Sequence, residues 1–338
     1  MSSTSKRKLY LHIGTPKTGT SSLQYFLFEN SARLKSEGLL YPVSLIGSHR
    51  DPKHQPFFHG VYNGNCLRFN ESLRNLSVEL KDSGCSALLS SEGFYHHLYE
   101  FTEQSWRLIR ELAGLYDLRV LVYLRPQSDY VESMYRQYLK NPKGANEEYG
   151  TGMTMNEFLG RPRIRQNLDY YGSLMQWSRV VGESNIVVRR YGKNILADFQ
   201  SLFHLRVEPP QKSVSLNPSL TREMAELLRQ VNSHWSNERR NALILNMEKS
   251  AAPADAGRDA SFLSPPEQRS LMDRLQEGNT LVARKWLNES ELFPGHAIGD
   301  CRDWEPVRID RDRMLSLFGC APMHSAPANL PDCIAGGF

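Results

Sequence analysis

Cysteine is scarce and unpatterned: Cys66, Cys85, Cys301, Cys320 and Cys333 are the only five in 338 residues, and no two form a C-x-x-C pair. An odd, scattered set argues against a disulfide framework or a structural zinc site and points to a reducing compartment. No apolar run reaches the roughly 18 residues that a membrane span requires, so no integral membrane segment is expected. An excess of one charge is also lacking. The 41 Lys and Arg face 37 Asp and Glu, a formal net charge of +4, which is too balanced for a nucleic-acid binder yet compatible with local handling of anions. The opening MSSTSKRKLYLHIG passes from a short basic tail into an apolar strand without a signal-peptide core, so a cytoplasmic protein is expected. There is no internal repeat.

What is present is a core. Hydrophobic residues make up 40% of the chain, enough for one large α/β domain or a domain with a helical appendage. LYLHI (9–13), ALLSSE (87–92), RVLVYLR (119–125) and NIVVRRY (185–191) read as buried strands of a parallel sheet. Helical stretches lie near 103–115, 127–140 and 170–181, and Leu23, Phe26, Leu27 and Leu34 share one face of a helix after the first strand. Residues 42–70 and 140–165 read as loops, with LKNPKGANEEYGTG (139–152) as an acceptor-side candidate or plain surface. From about residue 217 the pattern turns helical, and Ser264-Pro265-Pro266-Glu267 reads as a capping box. The expected division is an α/β core over 1–216 and a helical extension over 217–338 packed on it.

The most informative segment is GTPKTGTSS (14–22), between the first strand and its helix. Gly14 and Gly19 let the backbone bend toward an anion. Thr18, Thr20, Ser21 and Ser22 add hydroxyl donors, Lys17 adds a full charge, and a helix N-terminus adds free N–H groups. The plainer reading is a capped βα turn. A nucleotide kinase would place Lys directly after the second Gly, where this chain has Thr20, and would end a later strand in a magnesium-binding Asp, where it has Arg125.

PKTGTSS resembles the 5′-phosphosulfate loop of the sulfotransferases that use 3′-phosphoadenosine-5′-phosphosulfate (PAPS), whose usual form is close to PKSGTTW. Arg125-Pro-Gln-Ser-Asp-Tyr-Val-Glu-Ser133 is similar to that family's 3′-phosphate motif. The resemblance covers residues 8–205 and leans to the bacterial and carbohydrate-type members, since Ser22-Leu23-Gln24 stands where the cytosolic type has Trp. No counterpart of the cytosolic RKG…GDWK segment is found. It implies a P-loop NTPase-like three-layer α/β/α fold with a central parallel sheet and a helical C-terminal part. It also implies PAPS as donor and no required metal.

On that resemblance Lys17 assists departure of the phosphate, with Thr18, Gly19, Thr20, Ser21 and Ser22 as the cradle. Arg125 and Ser133 hold the 3′-phosphate, and Tyr191 lies near the adenosine. Arg125 could instead make a surface salt bridge, and Tyr191 could be a plain core or surface aromatic. A general base is needed for an acceptor hydroxyl. Glu92, at a strand's carboxyl end, leads, with His59 and His54 in KHQPFFHG behind it; Glu92 could also be a helix cap. His12 reads as a core histidine, His96 and His97 as surface, and one of Arg189 and Arg190 as pointing to the nucleotide. Arg258 could close over the 3′-phosphate or be a solvated loop residue. The expected acceptor is a small molecule or saccharide, not nucleic acid, and the oligomeric state is left open. An unusual P-loop kinase and a non-catalytic PAPS-binding protein are the alternatives.

Overall fold

The structure is a computed structural model that describes residues 6–144, 148–207, 220–250, 261–299 and 304–307. Arg258, Cys301, Cys320 and Cys333 lie outside the described residues. Two compact units are present. The first takes Met1–Gln127, Pro162–Val214 and Met272–His296, the second Ser128–Arg161, Ser215–Leu271 and Ala297–Phe338.

The first unit is built on a five-stranded, all-parallel sheet: β1 (Lys8–Gly14), β2 (Leu39–Leu40), β3 (Ser86–Ser90), β4 (Asp117–Leu124) and β5 (Ile186–Arg190), in the order β2-β3-β1-β4-β5. Parallel neighbours must be joined by crossovers, and helices supply them. These are α1 (Thr20–Glu29), α2 (Gln55–Tyr62), α3 (Cys66–Leu80), α4 (Glu103–Leu115), α5 (Gln127–Lys140) and α6 (Tyr170–Val181), while α7 (Ile195–Phe203) follows the last strand. Central strands covered on both faces read as continuous apolar runs. Accordingly Leu9, Leu11 and Ile13 of β1 and Val120 through Leu124 of β4 are fully buried. Leu23, Phe26, Leu27 and Leu34 pack into one cluster with Tyr123, Phe199 and Val207.

The sheet is α/β as its sequence pattern predicts, with two departures nearby. The two-residue edge strand β2 has too little pattern to be read in advance. The stretch 42–70, expected as loop, contains α2 and the start of α3. Pro56 opens α2, and the Asn65 side chain caps α3 by accepting from the Arg68 N–H at 3.0 Å.

The second unit is helical: most of α5, α8 (Arg222–Asn232), α9 (Asn237–Ser250) and the beginning of α10 (Pro265–Val282). Glu267 accepts from the Ser264 N–H at 2.8 Å and from its hydroxyl at 2.6 Å, which is the carboxylate half of the expected capping box at the start of α10. Arg240 is fully buried in this unit and donates to the carbonyls of Leu139 (2.8 Å) and Asn141 (2.9 Å), to Asn237 Oδ1 (2.8 Å), and to Asn232 Oδ1. Residues of 143–153 line a groove of about 850 Å³ in this unit, together with Asn232 and Ser233. Among the described residues no helix is long and apolar enough to cross a membrane, and Cys66 and Cys85 are free thiols.

Candidate functional site

Chain order changes sides at β1, so the loop that follows it opens between the carboxyl ends of β3 and β4, where open α/β sheets take ligands. That loop is pinned from below. The N–H and hydroxyl of Thr15 both donate to the Tyr123 carbonyl, at 3.0 and 3.1 Å, and the buried Thr18 hydroxyl donates to the Thr15 carbonyl at 2.6 Å. The Thr18 hydroxyl therefore braces the loop. Two left-handed residues turn the chain into α1: Lys17 at φ 64° and Gly19 at φ 73°. A β-carbon on Gly19 would come within 3.2 Å of Ile195 and 3.4 Å of the Tyr191 ring. A lysine held in this region costs about 1–3 kcal/mol, and such strain clusters at ligand sites. No side chain caps α1, and its first turn has no acidic residue. Its leading N–H groups and partial positive charge thus suit an anion. Ser21 and Ser22 are exposed on that turn, while Thr20 is buried.

The neighbouring strand tips converge on the same loop. Arg125 follows β4, half-buried, and its Nη1 donates to the Lys17 carbonyl at 3.2 Å. Its guanidinium lies 5.7 Å from the centre of the Tyr191 ring, and the Tyr170 hydroxyl holds its carbonyl at 2.7 Å. Tyr191 extends the β5 ladder by donating its N–H to the Leu124 carbonyl at 2.7 Å. Lys17, Gly19, Arg125 and Tyr191 are thus brought together. Ser133 is half-buried within α5, in the other unit. Arg189 and Arg190, one of which is expected to point to the nucleotide, are both engaged in ion pairs. Arg189 is paired with Asp198, which also accepts from the Tyr123 hydroxyl at 2.9 Å. Arg190 is paired with Glu289 at 3.1 Å from Nη1.

Glu92 follows β3, and its β-carbon lies close enough that a β-carbon on Gly14 would sit 3.3 Å from it. The side chain does not cap the short helix Gly93–His96 that it precedes. Its Oε2 accepts from Gln24 Nε2 at 3.0 Å, and its Oε1 lies 3.9 Å from Lys53 Nζ. With 24% of the side chain exposed, the carboxylate is held and still reachable. Neither partner lies in a motif of the sequence: the signal for Gln24 is a glutamine within the apolar stripe of α1, and Lys53 carries none.

The histidines separate by environment. His54 is fully buried with both ring nitrogens engaged: Nδ1 accepts from the Ser90 N–H at 2.9 Å and Nε2 donates to the Pro42 carbonyl at 3.0 Å. Burial pushes it down to about 4, so it is a neutral staple with no nitrogen left for proton transfer. His59, half-buried on α2, accepts at Nε2 from Gln55 at 3.1 Å, and Gln55 accepts from the Ser91 hydroxyl at 3.2 Å. Burial, then Arg68, His97 and Lys53, lower its pKa. His12 is buried in β1, bonded through Nδ1 to Ser90 Oγ at 2.8 Å, and burial lowers it to about 4. His97 is half-buried and pairs with Glu100 at 2.6 Å. His96, expected on the surface, is buried, and desolvation lowers it to about 3. Among the described residues no three His, Cys, Asp or Glu are grouped to hold a metal ion.

No family model matches this chain. An uncharacterized protein from Archaeoglobus fulgidus is 22% identical over 192 residues, covering 54% of this chain and 50% of that protein. The chain therefore spans about half the length of that relative. The crystal structure of a sulfotransferase from Alicyclobacillus acidocaldarius superposes with a TM-score of 0.40 at 15% identity, over 62% of this chain and 87% of that one.

Proposed function

We propose that this chain is a sulfotransferase that moves a sulfuryl group from PAPS to a hydroxyl or amine of an acceptor, with a carbohydrate or glycolipid as the acceptor class, and releases adenosine 3′,5′-bisphosphate. One observation carries the reading. The uncapped start of α1, with Lys17 in its loop, has a carboxylate at the β3 tip and a guanidinium at the β4 tip beside it. When bound, PAPS supplies a sulfuryl group already attached to a phosphate leaving group.

The chain's own residues then have distinct tasks. Lys17 and the leading N–H groups of α1, from Gly19 to Ser22, hold the 5′-side anion and stabilise the charge that grows as the sulfur–oxygen bond to phosphate breaks. Arg125 takes the 3′-phosphate in a charge-assisted bond. Tyr191 flanks the adenosine. Glu92 accepts the acceptor proton at Oε1, the oxygen on the Lys53 side, as the new sulfur–oxygen or sulfur–nitrogen bond forms. His59 is the alternative base, and its bond from Gln55 places it second. Lys17 supplies positive charge on the 5′ side and Arg125 on the 3′ side, and no step is assigned to a metal.

The test is isothermal titration calorimetry with adenosine 3′,5′-bisphosphate, using AMP and magnesium–ATP as controls, on wild type and Arg125→Ala. Selective binding of the bisphosphate, lost in the variant, supports the reading. Equal or tighter binding of magnesium–ATP that ignores Arg125 overturns it in favour of a kinase.

A further inference from the structure

Gln24 is 1% exposed, yet its neighbours Leu23, Phe26 and Leu27 on the same helix are core residues. A buried amide must find partners for its two N–H groups or lose about 1–3 kcal/mol for each that it leaves unpaired. Both hydrogens are matched: Nε2 donates to Ser90 Oγ at 3.1 Å and to Glu92 Oε2 at 3.0 Å. Ser90 Oγ is in turn 2.8 Å from His12 Nδ1.

The orientation of the amide follows from its acceptors. The Ser90 hydroxyl oxygen keeps a lone pair for Gln24 whichever His12 tautomer faces it. The Glu92 carboxylate can only accept when ionised. Both groups therefore call for donors, and the amide is fixed with its nitrogen toward them; the flipped amide would set oxygen against oxygen. The chain His12–Ser90–Gln24 is buried throughout and ends on the one group that solvent and substrate can reach.

We infer that Gln24 is a positioning residue that fixes the Glu92 carboxylate for proton transfer, an inference that rests on the sulfotransferase reading. By tying Oε2 inward it leaves Oε1, on the Lys53 side, as the oxygen that receives the proton. It also hangs the base from the helix whose first turn holds the donor. Gln24 lies four residues past Thr20, so about 6 Å of helix rise separates the anion cradle from the residue that aims the base. Occupied loop and aimed carboxylate thus share one rigid element.

The experiment compares wild type, Gln24→Met, Glu92→Gln and the double variant. Turnover is read as release of adenosine 3′,5′-bisphosphate from PAPS with water as the acceptor, and binding as calorimetric affinity for the bisphosphate. Methionine keeps the length of glutamine and removes both donors. Gln24→Met is expected to lower kcat about 10-fold or more, as loss of one hydrogen bond to a charged group does. KM and bisphosphate affinity should stay within about 2-fold, because the donor contacts are untouched. In the double variant the loss should not exceed that of Glu92→Gln alone, since an aiming residue has no effect once its target is gone. A Gln24→Met kcat near wild type, or losses that multiply in the double variant, overturns the inference while leaving the sulfotransferase reading standing. A wild type that neither binds the bisphosphate nor turns over PAPS removes both. Should Gln24→Met lack a cooperative melting transition, Gln24→Asn gives the same reading, because its amide is withdrawn by one methylene from Glu92.

Discussion

Replacing Gly93 with alanine is a direct test of how tightly the segment after Glu92 is packed. A β-carbon there would lie 2.8, 2.9 and 2.9 Å from three atoms of the Phe58 ring. Contacts that short force a neighbour to move. Phe58 is 1% exposed and packed by the rings of Phe94, Tyr62 and His97 at 5.2, 5.3 and 5.7 Å, so it has little room to yield. Overpacking of this kind costs about 1–3 kcal/mol. The same chemical change at Gly114, exposed in α4 with nothing within 4 Å of the added carbon, should instead stabilise by roughly 0.5–1 kcal/mol through helix propensity. The two variants should therefore separate by about 1.5–4 kcal/mol in urea melts. Shrinking the ring with Phe58→Leu should recover part of the Gly93→Ala loss, a coupling of at least about 0.5 kcal/mol between touching residues. A Gly93→Ala protein that melts at or above Gly114→Ala would refute the packing argument.

Three more expectations follow from the geometry. His12, His54 and His96 are buried neutral, with values lowered from 6.5 to about 4, about 4 and about 3. The unfolded chain therefore binds the extra protons first. Stability is complete above pH 6.5 and falls as the pH drops toward 4, by up to about 1.4 kcal/mol per pH unit for each histidine; urea midpoints unchanged between pH 7 and 5 would contradict this. Arg240→Ala removes the guanidinium donor from the Asn141 carbonyl and Asn232 Oδ1, and one of two donors from the Leu139 carbonyl and Asn237 Oδ1, which keep Asn232 Nδ2 and the Lys143 N–H. A loss of about 3 kcal/mol or more is expected in chemical denaturation, whereas a loss under about 1 kcal/mol would mean that water replaces the guanidinium. Arg125→Lys keeps the charge but not the planar fork, so it should bind adenosine 3′,5′-bisphosphate more weakly than wild type and more tightly than Arg125→Ala. Calorimetry in which lysine matches arginine would show that charge alone is recognised.

Local pattern made the centre of the fold legible. β1, β3 and β4 are the continuous apolar runs of doubly covered strands, β5 is a shorter apolar run ending in two arginines, and Ser264 with Glu267 marks the start of α10 within four residues. The loop was legible too, because left-handed turns, hydroxyls and a lysine beside a helix start are chemistry written in consecutive residues. Arg189 and Arg190 were not. Their partners Asp198 and Glu289 stand nine and 99 residues away, and no local rule pairs them. His54 and His96 differ little in sequence from surface histidines; the Ser90 and Pro42 backbone that claims His54 arrives only when the chain closes.

The sequence by itself determined the parallel α/β core, the anion-suited loop at 14–22 and the carboxylate and guanidinium at the strand ends, since these depend on periodicity and on residues adjacent in the chain. Tertiary structure alone decided which groups are engaged and which are available. It placed Gln24 and Lys53 on the two oxygens of Glu92, turned His54 into a staple, set Arg125 against the Lys17 carbonyl and used the Thr18 hydroxyl to brace the loop. The physical reason is that burial and hydrogen-bond partnership belong to pairs of residues, many of them far apart in sequence, and only the packed sheet brings those pairs within 3–4 Å of one another.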